Sequence, residues 1–223
     1  MPRFYILQRQ PLREQEWLLD IFSEQDGRLT VVAGPRQRAS DMLQLLQGSW
    51  SPDQDWPKVR AMECLSQPVL SGVSLYCAFY LTELLTRLLP RYEALPDLFR
   101  VYHQTLAGLA QNTVPDPWLR LFEVELLAAC GYGFSWRQDD SGAVLQPDGY
   151  YRFIPRQGFS PAAEGFRGRD IMDFAARNAA NPQAWQIARN ILRQAIDNML
   201  ERPLVSRELV NVNRYRLKSQ PAG

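Results

Sequence analysis

Residues 117–133 read Pro-Trp-Leu-Arg-Leu-Phe-Glu-Val-Glu-Leu-Leu-Ala-Ala-Cys-Gly-Tyr-Gly and form the most informative stretch of this chain. Four apolar residues recur there at helical spacing and predict a buried helix with one apolar stripe: Leu119, Phe122, Leu126 and Leu127. Prolines mark its beginning and glycines its end, because glycine readily adopts the positive φ of a helix stop: Pro115 and Pro117, then Gly131 and Gly133. The stretch therefore predicts a core helix that ends abruptly.

The segment before this helix contains five β-rich runs within its first 65 residues. Turn residues or polar loops separate them. The runs extend from Phe4 to Arg9, Trp17 to Phe22, Arg28 to Ala33, Leu43 to Trp50 and Lys58 to Leu65. Five short strands in so few residues predict a small antiparallel barrel, of which the OB-fold is the commonest five-stranded type.

From residue 69 onward the hydrophobic period is helical. Helices are predicted for Leu75 to Leu88, Pro96 to Ala110, Gly168 to Asn178 and Pro182 to Leu200, the last with Asn181 as its N-cap. Residues 134–160 are polar, aromatic and rich in glycine, and they predict a small β-hairpin insert with Tyr150 to Ile154 as one strand. The predicted class is α+β: an OB-fold domain over residues 1–68, a helical domain over 69–210 with the insert, and a flexible tail over 211–223.

The composition of the chain limits the classes of protein to which it can belong. The chain has 223 residues and a net charge of +1, so its net charge gives no general electrostatic attraction to nucleic acid. It has neither a run of about 18 apolar residues nor the apolar stretch of a signal peptide, so a cytoplasmic protein is expected. Residues 137–223 carry 13 basic and 9 acidic side chains, and nearly every basic residue is arginine. Arginine suits phosphate contacts and stacking on bases, although a high-GC genome also favours arginine codons.

The residues that carry catalysis or bind metals in other proteins are sparse here. Cys64, Cys77 and Cys130 are scattered, which argues against disulfides and zinc and predicts buried structural thiols. His103, the single histidine, is expected on an exposed helix face without a partner. The chain has no phosphate-binding glycine loop and no cluster of acids, bases or metal ligands. We therefore expect no enzymatic activity, no cofactor and no metal.

Three segments, in order along the chain, resemble the RecO family. The first is Asp20-Ile21-Phe22-Ser23-Glu24 with Gly27-Arg28-Leu29, and the second is Leu70-Ser71-Gly72, Leu75-Tyr76 and Tyr80-Leu81-Thr82-Glu83-Leu84-Leu85. The third combines Phe122-Glu123, Leu126-Leu127 and Gly131-Tyr132-Gly133 with Pro203-Leu204 and Ser206-Arg207-Glu208-Leu209. Each piece alone is weakly specific, but their order and spacing make the resemblance strong over nearly the whole chain.

The resemblance implies a recombination mediator without an enzymatic active site. Members of that family combine an OB-fold with a helical domain, bind single- and double-stranded DNA and anneal complementary strands. They work with RecR to load RecA onto single strands coated by the single-strand-binding protein, SSB. A cytoplasmic, nucleoid-associated protein is then expected. The sequence departs from the family in two places: residues 131–160 lack the four cysteines of a zinc module, and the loop after the third strand offers only Arg36 and Arg38 as cations.

Two sets of site residues follow. OB-folds bind single strands with aromatic and basic side chains, which here are Arg28, Arg36, Arg38, Lys58 and Arg60 with Trp50 and Trp56. Trp50 could instead belong to the core and Trp56 could cap a loop. The family's pocket for the acidic SSB tail, which ends in Pro-Phe, implies Arg120, with Arg193 nearby. The alternative for Arg120 is a structural salt bridge to Glu123, to Glu125 or to a neighbouring helix.

The basic excess of the C-terminal part is a third candidate surface for DNA, although an ordinary solvated surface is the more frequent outcome. Its residues are Arg152, Arg156, Arg167, Arg169, Arg207, Arg214 and Arg216. The leading hypothesis is thus a mediator that binds DNA and SSB. The alternative is an adaptor that binds SSB and RecR and has little DNA affinity of its own, because the barrel is nearly neutral.

Overall fold

The computed structural model describes residues 1–35, 40–51, 56–111 and 114–207. Five N-terminal strands form one antiparallel sheet in the order β3-β2-β1-β4-β5. The strands are β1 (Arg3–Arg13), β2 (Glu16–Ser23), β3 (Gly27–Ala33), β4 (Leu45–Trp50) and β5 (Val59–Ser66). This confirms the predicted set of five, with β1 longer than expected.

The sheet closes on itself where β3 meets the start of β5. Val32 and Lys58 form a parallel bridge, and the Val32 amide donates to the Pro57 carbonyl oxygen at 2.8 Å. The circular order β1-β2-β3-β5-β4 is that of a five-stranded OB barrel, as predicted. Inward-facing residues of the first four strands fill its core, namely Phe4, Ile6, Leu19, Ile21, Leu29, Val31, Ala33 and Leu46.

Two helices cover the outer face of β1: α1 (Gly72–Leu88) and α2 (Pro96–Ala110). While Phe4 fills the barrel, Tyr5 faces the helices, and its ring centroid lies 4.9 Å from that of Tyr102 and 5.6 Å from that of Phe99. The first half of β1 is therefore buried on both faces, which explains why Phe4 to Leu7 read as a continuous apolar run.

The second part of the described chain combines helices with a small sheet. Its elements are α3 (Pro115–Ala129), β6 (Tyr150–Ile154), β7 (Gly158–Ala162), β8 (Phe166–Arg167), α4 (Gly168–Ala175) and α5 (Pro182–Met199). The predicted hairpin is present as β6 and β7, and β8 pairs with the other edge of β6. Gly165, at φ 139°, permits this return, because a Cβ there would lie 2.5 Å from the Tyr151 carbonyl oxygen.

The helix ends follow the local sequence signals. The Asn181 side chain accepts from the amides of Gln183 and Ala184 and caps α5, as predicted. α4 ends three residues earlier than predicted, and Arg177 beyond it adopts a φ of 55°. None of the helices in the described ranges is long and apolar enough to cross a membrane.

Contacts divide the chain into two compact units. One contains Met1–Pro115 together with the described residues from Leu204 onward, and the other contains Asp116–Pro203. Leu204 to Ser206 return to α1, where the Glu83 carboxylate accepts from the Ser206 amide at 2.9 Å and from its hydroxyl at 2.6 Å. The sequence-based boundary at residue 68 follows the change from strands to helices and stays a prediction, and the tail from residue 211 lies outside the described residues.

Candidate nucleic-acid and peptide interfaces

Three predicted DNA-binding side chains lie together where β5 begins. We call Trp56, Lys58 and Arg60 the β5 group. They alternate with Pro57 and Val59, which are more buried, so their side chains share the outer face of the chain. Trp56 is 52% exposed. The Lys58 ammonium lies 3.8 Å from a Glu16 carboxylate oxygen.

Arg60 is exposed and has no carboxylate partner among the described residues. An exposed arginine of this kind, four residues along the chain from an exposed tryptophan, can contact a phosphate without first giving up an ion pair. Within the described barrel, the β5 group is thus the part of the predicted DNA-binding set that is most open to solvent.

Two other predicted DNA-binding residues have structural partners. Arg28 forms an ion pair with Asp20 at 2.7 Å, both side chains being 12% exposed, and donates to the Leu89 carbonyl oxygen at 3.3 Å. Trp50 is half-buried, and its ring meets the Phe4 ring edge-on at 5.6 Å. The core alternative for Trp50 is therefore the observed arrangement.

The remaining members of the predicted DNA-binding set, Arg36 and Arg38, lie outside the described residues. Binding of DNA by any member of the set stays a prediction.

Arg120, predicted to contact the SSB tail, lies on the buried side of α3. Its guanidinium donates to the Glu123 carboxylate at 2.6 Å, and the two side chains are 7% and 2% exposed. The Arg120 Nε has no hydrogen-bond partner in the described part of the chain. The salt bridge to Glu123 named as the alternative is thus the observed contact, and an incoming carboxylate would have to compete with it.

Arg193, on α5, is 63% exposed and lies 3.7 Å from Asp197. The tail-binding role of both arginines stays a prediction.

A cavity of about 270 Å³ lies beside α3, on the helix face next to that of Arg120. We call it the α3 cavity. Apolar and aromatic side chains form much of its wall, with two arginines and a serine: Leu121, Val124, Ser135, Trp136, Arg137, Phe174, Ala175 and Arg177. The Trp136 and Phe174 ring centroids are 4.5 Å apart. Both arginines are exposed, and neither forms an ion pair within the described ranges. This combination suits an apolar group that ends in an anion.

Sequence reasoning did not single out Arg137 and Arg177. Arg137 follows the aromatic pair Phe134 and Trp136, and Arg177 follows α4, forty residues later. Only the packing of Phe174 against Trp136 brings these two segments together. The local signal that could have been noticed is a basic residue directly after an aromatic pair.

Two basic residues of the third candidate surface lie over aromatic rings. Arg156 lies over the Tyr132 ring at 5.2 Å, and Arg207 lies over the Tyr80 ring at 5.8 Å. Arg152, Arg167 and Arg169 are exposed, whereas Arg214 and Arg216 lie outside the described residues.

Two expectations about reactive side chains were wrong. His103 is half-buried rather than exposed, and its Nδ1 forms a 2.7 Å hydrogen bond with the Tyr5 hydroxyl. Burial lowers the pKa of His103 and raises the pKa of Tyr5. Cys64 is exposed and Cys130 is only partly buried, whereas Cys77 is buried as predicted. Within the described ranges no three His, Cys, Asp or Glu side chains are grouped so as to hold a metal ion.

Comparison with known proteins identifies the family of the chain. The family described as "Recombination protein O C terminal" matches residues 70–208. The DNA repair protein RecO of Aliivibrio fischeri strain MJ11 is 34% identical over 94% of both chains. That of Vibrio cholerae serotype O1 is 36% identical over 94% of this chain and 92% of its own length, and that of Pseudomonas paraeruginosa is 34% identical over 92% of both. With an OB barrel, the helices that follow it and these matches, the chain belongs to the RecO family of DNA repair and recombination proteins.

Proposed function

We propose that this protein is a recombination mediator that binds single- and double-stranded DNA and SSB and anneals complementary strands. With RecR, it helps to load RecA onto SSB-coated single strands in the bacterial cytoplasm, at the nucleoid. Membership of the RecO family supports the repair role. The observation that carries the DNA-binding part is the β5 group, in which an exposed tryptophan lies beside two exposed cations on an OB barrel.

Annealing needs little chemistry from the protein. Two strands must be held close together while their base edges stay free to pair. Trp56 offers a stacking surface for a base, and Lys58 and Arg60 offer contacts to neighbouring phosphates. These two cations neutralise two phosphates of a single strand. The logarithm of the binding constant should therefore fall with the logarithm of the salt concentration with a slope of about −1.4, at about 0.7 per phosphate. We call this quantity the salt slope. Binding through the β5 group is therefore modest and sensitive to salt.

We assign the SSB tail to the α3 cavity. A C-terminal phenylalanine combines an aromatic ring with a free carboxylate, and the cavity combines an aromatic wall with Arg137 and Arg177 at its edge. These exposed arginines can reach a carboxylate at lower cost than Arg120, whose guanidinium already pairs with Glu123 in a buried position. In this proposal Arg120 supports α3 from the buried side.

The DNA-binding part is tested by fluorescence anisotropy of a labelled single strand across a salt series, together with an ATP-free annealing assay. The double variant Lys58→Ala/Arg60→Ala should weaken binding and flatten the salt slope by about 1.4. Arg100→Ala is the matched control, because Arg100 is an exposed arginine paired with Asp97 on α2. If the wild-type protein neither binds nor anneals single strands at low salt, the mediator proposal is refuted.

The peptide-binding part is tested with a labelled acidic peptide that ends in Pro-Phe. Arg137→Ala and Arg177→Ala should each weaken binding about tenfold, the loss of one charge-assisted hydrogen bond to a carboxylate. Amidation of the peptide's C-terminus should weaken wild-type binding similarly. Unchanged affinity in both variants would exclude the α3 cavity as the tail site.

A second candidate function is an adaptor that binds SSB and RecR and touches DNA only weakly. The observation that favours it is the pairing of barrel cations with carboxylates, Arg28 with Asp20 and Lys58 with Glu16. The adaptor predicts peptide and RecR binding without measurable DNA binding at low salt, whereas the mediator predicts all three.

A further inference from the structure

The outer face of the small three-stranded sheet has no assigned role. Along β6 exposure alternates: Tyr150 and Arg152 are exposed, and Tyr151 and Phe153 are buried. Alternation with period two places Tyr150 and Arg152 on one face, about 6.7 Å apart along the strand. Tyr150 is 45% exposed, a large fraction for a tyrosine within a paired strand.

A second cation joins this face from the neighbouring strand. Tyr150 pairs with Arg167 across the β6–β8 ladder, and directly opposed residues in an antiparallel pair share a face. Arg167 is half exposed, and its guanidinium lies 3.2 Å from an oxygen of Asp148, which is itself 81% exposed. An ion pair this open contributes little to stability, so a phosphate can replace Asp148 at small cost.

Arg152 is the other cation of the group and lies two residues along β6 from Tyr150. It is exposed and has no carboxylate partner in the part of the chain that the structure describes. Across the β6–β7 ladder it faces Ser160, a small polar residue that leaves the guanidinium accessible. We call Tyr150, Arg152 and Arg167 the insert face: one aromatic ring with an arginine further along its own strand and another on the neighbouring strand.

The buried side of the same sheet holds this face in place. The Tyr151 hydroxyl accepts a 2.8 Å hydrogen bond from the Gln146 amide, and Phe153 packs against Phe134 and Phe159 with ring centroids 4.8 and 5.8 Å apart. The exposed residues are thus presented by a packed, hydrogen-bonded sheet. The contacts that stabilise the sheet come from the opposite face, so the exposed side chains are not needed for its core.

We infer that the insert face is a binding site for single-stranded DNA. One base stacks on the Tyr150 ring, and the adjacent phosphates contact Arg152 and Arg167. Charge complementarity favours a polyanion, and the exposed ring favours an unpaired base, since bases in a duplex have their faces covered by their neighbours. The inference rests on the DNA-binding part of the proposed function and adds a site that is separate from the β5 group and the α3 cavity.

The test uses the full-length protein and a labelled oligothymidine, with a duplex of the same length for comparison. Tyr150→Ala should weaken single-strand binding at least fivefold, as expected for one lost stacking contact, and leave duplex binding nearly unchanged. Tyr150→Phe is the matched control that keeps the ring and should bind like the wild type. Arg152→Ala/Arg167→Ala should flatten the single-strand salt slope by about 1.4.

A photocrosslink gives a second readout that does not depend on affinity. An oligonucleotide containing 5-iododeoxyuridine should crosslink to the tryptic peptide of residues 138–152, and Tyr150→Phe should lower the yield less than Tyr150→Ala. Wild-type binding that none of these variants changes, with no such crosslink, overturns the insert face but leaves the mediator proposal intact. A wild-type protein that binds no single strand at low salt overturns both.

Discussion

Replacing Arg120 with alanine distinguishes between two roles for this residue, a structural one and a direct contact with the peptide. Arg120 and Glu123 form a buried ion pair of 2.6 Å on α3. Removing the guanidinium leaves the Glu123 carboxylate buried without its cation, and water cannot easily replace it. The variant is therefore expected to lose stability first, and any loss of peptide affinity follows from the disturbed helix.

The size of this effect follows from the burial of the pair. Breaking a buried ion pair by removing one partner costs about 3–5 kcal/mol. The lower end, about 3 kcal/mol, applies here because Arg120 Nε has no hydrogen-bond partner in the described part of the chain, so the substitution also removes an unpaired buried donor. With a denaturant slope of about 1.5 kcal/mol per molar urea, the unfolding midpoint of Arg120→Ala should fall by about 2 M. Urea titrations followed by tryptophan fluorescence and far-UV circular dichroism measure this shift.

Two further variants make the reasoning testable. Arg193→Ala removes an exposed arginine whose partner lies 3.7 Å away, and it should change stability by less than about 1 kcal/mol. The double variant Arg120→Met/Glu123→Leu replaces the pair by apolar side chains and should recover most of the loss. If Arg120→Ala unfolds at the wild-type midpoint and still loses the SSB-tail peptide, Arg120 is a direct contact and the structural argument is refuted.

Three further predictions concern other described residues. Burial lowers the pKa of His103 below 6.5, so the stability that its neutral ring contributes is complete above pH 6.5 and is lost as the pH falls through the folded-state pKa. An NMR titration of this single histidine should show the low pKa, and Tyr5→Phe should change it; a pKa at or above 6.5 would contradict the prediction. A thiol reagent should label Cys64 rapidly in the native protein and Cys77 only after unfolding, and a fast phase that survives Cys64→Ser would show that another thiol reacts. Asn181→Ala should cost at least about 1 kcal/mol, because α5 loses its cap and Asp170 and Asp173 lose the hydrogen bonds that the Asn181 amide donates to them. Asn181→Asp keeps a capping oxygen but faces both carboxylates, so it should recover little of this loss; equal midpoints of all three proteins in thermal unfolding would argue against these contacts.

The fold was largely predictable because its local signals are strong. The five barrel strands are bounded by glycines, prolines or polar loops, and the helices carry apolar stripes. Three of the described helices, α2, α3 and α5, begin with proline. β8 was missed because it has only two residues and forms through pairing with β6, which local sequence does not encode. The half-buried position of His103 was missed for a related reason, since its partner Tyr5 lies 98 residues away.

The candidate sites were less predictable, because a site depends on which charged side chains have partners in the fold. The sequence predicted that Arg28 contacts DNA, but its guanidinium forms an ion pair with Asp20 on the neighbouring strand. Arg120 was marked by the family's motif, and its ion pair with Glu123 was named beforehand as an alternative. No local pattern distinguishes it from Arg137, which is exposed at the edge of a cavity formed by distant segments.

In a chain of nearly zero net charge, the availability of arginines decides where anions bind, rather than their number. Arg28 and Arg120 are neutralised by partly or fully buried carboxylates and mainly stabilise the fold. Arg60, Arg137 and Arg152 have no such partner within the described ranges, and each lies beside an exposed ring or an aromatic-lined cavity. A few available arginines near aromatic groups give contacts that salt weakens gradually, because each phosphate contact contributes only about 0.7 to the salt slope. The proposed annealing role requires two strands to be held while their bases stay free to pair, and contacts of this kind would suit that role.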